Sequence, residues 1–194
     1  MVSLIVSVLF LIASLIINYY AGTYATESAS NPVTDIVLNN IRVFDVDGIF
    51  IYGALFFWFF IVVLCFTKPK TIPFTFKSIA LFTVIRSVFV SLTHIGPFPG
   101  SAIVSSSNLI QKFSFGGDLF FSGHTGIPFL MALIFWQNKY LRYLFLIASG
   151  IFAVVVLLGH YHYSIDVLSA FFITYTIFHI ALFFFKKDRQ MFLS

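Results

Sequence analysis

From Val2 to Tyr20 the chain carries no charged side chain, and the same is true of Ile49–Phe66 and Tyr143–Leu158. A bilayer-spanning helix needs roughly 20 mostly apolar residues. A soluble fold of 194 residues could not hide several such runs in one interior. The composition agrees, with 60% of residues hydrophobic and 9% charged, against roughly 25% charged in a soluble domain. Lipid is the solvent that fits this excess. The chain therefore reads as an all-α, polytopic membrane protein.

Six spans are expected: Val2–Tyr20, Ile49–Phe66, Ser78–His94, Ser122–Trp136, Tyr143–Leu158 and Asp166–Phe185. The fourth and fifth are short. No loop is long enough for a separate soluble domain, so residues 1–194 read as one membrane-embedded domain, without internal repeat or low-complexity linker.

Charge orients the bundle. Lys68, Lys70 and Lys77 follow the second span, Lys139 and Arg142 the fourth, and Lys186, Lys187 and Arg189 the sixth, where Asp188 opposes them. The loop after the first span holds Glu27, Asp35, Asp45 and Asp47 against Arg42. The positive-inside rule then puts both termini in the cytoplasm and the loops after spans one, three and five on the other side. A cleaved signal peptide is the other reading of the first span, but such peptides carry a basic n-region that this one lacks. No basic tract points to nucleic acid. The single cysteine, Cys65, rules out an internal disulfide and a multi-cysteine metal site.

Ionisable groups at or in a membrane are costly and are functional candidates by default. Two segments carry them to one membrane face. Gly116-Gly117-Asp118-Leu119-Phe120-Phe121-Ser122-Gly123-His124-Thr125 enters the fourth span, and Gly159-His160-Tyr161-His162-Tyr163-Ser164-Ile165-Asp166 joins the fifth to the sixth. If the last helix begins by His162, then His162 and Asp166 share a helical face. A carboxylate that accepts one imidazole N–H makes the other nitrogen more nucleophilic. His124 could protonate a leaving oxygen. This set suffices for covalent phosphoryl transfer through a phosphohistidine. His94, His160 and His179, taken singly, read as solvated or capped residues, with His179 far from the others.

These residues resemble a known family, the type 2 phosphatidic acid phosphatase superfamily, and within it the sphingomyelin synthase branch. Residues Gly117 to Thr125 resemble that branch's Gly-Asp…Ser-Gly-His-Thr motif, and His162-Tyr163-Ser164-Ile165-Asp166-Val167 with Ala170 its His-Tyr-Thr-x-Asp-Val motif. Arg86-Ser87, with Thr93 and Pro97, is similar to its Arg-Ser-x-Thr motif, and Pro32-x-x-Asp35 to its first. The resemblance implies a six-helix bundle with an extracytoplasmic or lumenal site, His162 as nucleophile, Asp166 as its orienting partner and His124 as the acid. It implies transfer of a phospho-headgroup from one lipid to water or another alcohol. Val156 stands where the phosphatase branch carries an arginine, which fits a diester better than a dianionic monoester.

The expected partners are a phospholipid substrate, a lipid alcohol acceptor and the bilayer. Arg86, Ser122, Gly123 and Asp118 are candidate substrate contacts. Arg86 reads either as a phosphate or Asp166 contact or as a residue that snorkels or pairs structurally with Asp118. No cofactor or metal is expected, although two histidines and an aspartate could ligate zinc. Two alternatives stay open: a lipid or isoprenoid phosphate monoesterase, and a catalytically silent lipid-binding bundle. A transporter would show matched repeats or broken spans, and neither is evident.

Overall fold

The computed structural model describes residues 2–100 and 120–193. Among them the chain forms α1 (Val2–Glu27), α2 (Ala54–Thr67), α3 (Ile72–Leu92), α4 (Gly123–Ile134), α5 (Lys139–Leu158), α6 (Ser164–Phe184) and α7 (Lys186–Leu193), with no strand. A π-helical turn, Ile49–Gly53, leads into α2, and short 3₁₀ turns occupy Leu38–Asn40 and Pro69–Thr71.

Five helical segments are long and apolar enough to cross a membrane by length and composition. These are α1, α5, α6, the π turn with α2, and the Pro69–Thr71 turn with α3. The expected fourth span is shorter than the rest. Ser122 caps α4 at its start, and the helix ends after 12 residues, about 18 Å at 1.5 Å per residue. Asn138 then caps α5, its side chain accepting the Tyr140 and Leu141 N–H groups at 3.1 and 3.2 Å. Helix α3 begins at Ile72, earlier than the apolar pattern alone indicates, because Pro73 is suited to a first helical turn.

The surface is apolar and part of the interior is polar. Helix α1 exposes Leu9, Phe10, Ile12, Leu15 and Ile16 and buries Ser7, Ser14, Gly22 and Ala25. It lies along α3, and small buried residues of this kind permit the close backbone approach typical of helices packed in lipid. The core is built from phenylalanines, including Phe57, Phe74, Phe82, Phe121, Phe145 and Phe152, around Leu130, Met131 and Ile134. Many of the rings meet edge to face. Gly126 lets α4 come this close: a Cβ there would lie 2.7 Å from the Phe82 ring and 2.9 Å from Thr174 Oγ1.

The two ends of the bundle differ. At the basic end, Lys77 pairs with Asp188 at 2.6 Å, and the Ser3 hydroxyl also donates to Asp188. Arg189 Nη1 donates to the Ile134 carbonyl at 2.7 Å over the Phe74 and Phe192 rings, so the charged C-terminal stretch is folded against the bundle as α7. The other end gathers the end of α3 and the starts of α4 and α6 with the end of α5. Residues 28–48 cross it. Ser30 N–H bonds the His94 carbonyl at 2.7 Å, and Phe44 N–H the Leu158 carbonyl at 2.9 Å.

Candidate active site

The site grows from the turn that joins α5 to α6. His160 holds a left-handed backbone with φ 55°, sparsely populated for a non-glycine residue. Gly159 precedes it, and a Cβ there would lie 2.3 Å from the Tyr161 ring. The chain thus turns sharply and brings His162 inward, where it is buried. Helix α6 starts only at Ser164. The expectation of a shared helical face for His162 and Asp166 is therefore corrected, since His162 precedes the helix. Asp166 instead folds back over the helix N-terminus. Its Oδ2 accepts the Tyr163 N–H at 3.0 Å and lies 3.5 Å from His162 Nδ1. Asp166 has 0% exposure, and its Oδ1 is buried.

A backbone bond from Ser122 N–H to the Asp166 carbonyl, 3.1 Å, ties the start of α4 to the start of α6. His124, in the first turn of α4, is delivered to the same place. Its ring stacks on Phe50 at 4.1 Å and lies 5.8 Å from Phe152. His162 and Arg86 both lie within electrostatic reach of His124. Phe50, in the π turn, also packs on Tyr161 at 4.3 Å, and the Tyr161 hydroxyl donates to Asp47.

The candidate substrate contacts fall into three groups. Ser122 is fully buried, and its hydroxyl accepts the Thr125 N–H at 3.3 Å as an N-cap. Gly123 opens α4, where first-turn N–H groups lack an intrahelical acceptor, and lies against Arg86. Arg86 is buried, and its Nε donates to the Phe121 carbonyl at 2.8 Å. Asp118, with Gly116 and Gly117, lies outside the described residues. Of the singly weighed histidines, His94 meets Tyr24 edge to face, and exposed His179 places Nδ1 2.9 Å from the Tyr175 carbonyl within α6. His160 is buried against Phe98, with the Ile41 carbonyl and the Asp35 carboxylate near its ring. Among those residues no group of three or more His, Cys, Asp or Glu side chains could hold a metal ion.

Two features were not read as site residues from the sequence. Phe50 has no sequence signal among 28 phenylalanines. Asp35 had one, the Pro32-x-x-Asp35 spacing. Its Oδ2 accepts the Ser164 N–H at 2.7 Å, and its Oδ1 accepts Val37 and Leu38 N–H groups at 2.8 and 3.1 Å. Burial pushes this carboxyl up, but the Ser164, Leu38 and Val37 donors outweigh it and hold it below its ordinary value. Burial likewise pushes the Tyr161 phenol well up, with Asp47 adding to the effect.

No curated protein and no solved structure matches the chain. Residues 116–183 match the family described as PAP2 superfamily C-terminal, a stretch that takes in both histidine-bearing segments. The likeness to that family is confined to this stretch, about a third of the chain.

Proposed function

We propose that this protein moves a phospho-headgroup from a membrane lipid to water or to a second lipid alcohol through a phosphohistidine on His162. The observation that carries the reading is the approach of His162 Nδ1 to the buried Asp166 carboxylate, 3.5 Å, where the Ser122 N–H to Asp166 carbonyl bond also brings the start of the helix that bears His124. Such contacts are often long in the absence of substrate and tighten in the reacting complex.

With Nδ1–H donated to Asp166, the lone pair on His162 Nε2 attacks phosphorus. The bond from phosphorus to the lipid oxygen breaks as His124, protonated, gives its proton to that oxygen. An acceptor hydroxyl then attacks the phosphorus of the phosphohistidine and gives its proton to His124. The P–N bond breaks, and both imidazoles return to their starting states. Asp166 stabilises the imidazolium character that His162 gains during attack. First-turn N–H groups of α4 offer an electropositive surface to phosphoryl oxygens.

A diester substrate, in the manner of the sphingomyelin synthase branch, is favoured over a monoester. Val156 stands where the phosphatase branch carries an arginine, and here it is fully buried beside Ala153 and Val167. The bundle reading has six spans, both termini cytoplasmic and the site extracytoplasmic or lumenal, and the clustering of Lys and Arg at the end away from the site supports it.

The test is incubation of purified protein in EDTA with a labelled panel of phospholipid diesters and phosphate monoesters, with and without diacylglycerol or ceramide. Headgroup transfer or release from a diester, lost in His162→Ala, is the expected result. Turnover of monoesters alone would replace the diester reading. Activity abolished by EDTA and restored by zinc would replace the covalent mechanism.

A further inference from the structure

The turn that carries His162 is held largely from outside its own helices. Two consecutive residues after His162 are fastened by residues 33–35, about 130 positions away in the chain. The Tyr163 hydroxyl accepts the Val33 N–H at 3.2 Å and donates to the Gly96 carbonyl at 2.8 Å. The Ser164 N–H, an orphan donor of the α6 N-terminus, goes to Asp35 Oδ2 at 2.7 Å. Asp35 is itself rigidly placed. Its Oδ1 takes two N–H groups, its carbonyl accepts the Asn39 N–H at 2.9 Å, and it is 6% exposed. The chain on which it sits is packed without slack, since a Cβ at Gly96 would lie 2.2 Å from the Ser30 carbonyl oxygen.

From this geometry we propose that Asp35 is a positioning residue for the reacting imidazole, bracing the His162 turn through the Ser164 N–H. The inference rests on the reading in which His162 attacks phosphorus. Asp166 and Asp35 divide the work at one helix start: Asp166 Oδ2 takes the Tyr163 N–H and faces His162, and Asp35 takes the next N–H along. With both bonds made, neither residue 163 nor 164 can rotate its peptide without losing a buried bond, so the backbone leading out of His162 is fixed. Small misplacements of a nucleophile are costly to the chemical step and nearly invisible to substrate binding.

The experiment compares Asp35→Ala, Asp35→Asn, Ser164→Pro and the Asp35→Ala/Ser164→Pro double variant as full-length protein in detergent micelles. Proline suits a first helical position, so Ser164→Pro removes the N–H donor without breaking α6. Each single variant is expected to lower kcat at least tenfold with KM within threefold of wild type. The double variant should be no worse than the more severe single within twofold, because the Ser164–Asp35 contact is the link that both sever. Multiplicative losses, or Asp35→Ala within threefold of wild type in kcat, would overturn the proposal.

A second readout needs no substrate. The rate at which diethyl pyrocarbonate modifies His162, followed by mass spectrometry with an added histidine peptide as reference, should change at least threefold in Asp35→Ala and Ser164→Pro. An unchanged rate at His162 would also overturn the brace. A wild-type-like His162→Ala enzyme would remove the functional reading instead, and the modification rates would still report on the brace.

Discussion

Arg86 Nε donates to the Phe121 carbonyl at 2.8 Å, which ties the C-terminal part of α3 to the residue just before the Ser122 cap of α4. A buried bond to a charged donor is worth roughly 1.5–3 kcal/mol, and the carbonyl left behind would be buried as well. Arg86→Ala is therefore expected to lower the melting temperature and kcat together, because His124 is launched from that cap. Arg86→Lys keeps the charge and loses the planar fork, so it should resemble alanine in stability more than wild type. A normal melting temperature with a raised KM in both variants would make Arg86 a substrate contact and not a tether.

The exchange between His162 and Asp166 predicts two unequal losses. His162→Ala should abolish turnover and leave no acid-labile phosphate on the protein after a quench. Asp166→Asn keeps an oxygen for the Tyr163 N–H, so the fold should persist while the imidazolium loses its counter-charge. A loss in kcat on the order of 10²–10⁴ is expected, within the range general acid–base partners supply. Rapid-quench kinetics with labelled lipid measures both. Wild-type burst amplitude in His162→Ala would move the nucleophile elsewhere.

Much of this arrangement is legible in the sequence because hydropathy and topology are tightly coupled in a membrane. Uncharged runs locate α1, α2, α5 and α6 to within a turn or so at most ends, and the two histidine-bearing segments share an end, as the order of spans requires. The local geometry was less legible. The reading of His162 and Asp166 as i,i+4 neighbours on a helix names two residues that do lie close, 3.5 Å apart, but by another route, since the contact depends on a turn with His160 at φ 55°. Asp35 is marked by the Pro32-x-x-Asp35 spacing, but its role is hidden for a different reason. Its bond to Ser164 spans 129 positions, and nothing in local periodicity records a loop carboxylate that caps a distant helix. Phe50 is hidden by abundance, because stacking on His124 has no compositional trace in a chain with 28 phenylalanines.

Gly126 should be among the least tolerant positions in the bundle. A Cβ there meets Phe82 at 2.7 Å and Thr174 Oγ1 at 2.9 Å, and both neighbours are buried. Overpacking of this kind costs about 1–3 kcal/mol, so Gly126→Ala is expected to lower the melting temperature despite the better helix propensity of alanine. Adding Phe82→Leu should return part of the loss by opening the wall. Thermal melts of the two variants in detergent check this, and an unchanged melting temperature in Gly126→Ala would mean that α4 can slide away from α3.

His160 supplies a pH dependence whose sign follows from its surroundings. Burial holds this imidazole below its ordinary value of 6.5, against the opposing pull of the Ile41 carbonyl and the Asp35 charge. The folded chain therefore resists the proton that the unfolded chain accepts. The unfolded state binds more protons between the folded value and 6.5, so stability rises with pH across that window. The contribution is fully present above about pH 6.5 and is lost progressively as the pH falls below it. His160→Asn removes the titrating group and keeps a side chain that tolerates the left-handed backbone. Its melting temperature should fall less than that of the wild type between pH 7.5 and 5.5, as read by thermal melts in buffers of matched ionic strength. Equal slopes in the two proteins would assign the acid sensitivity of this end of the bundle to another group.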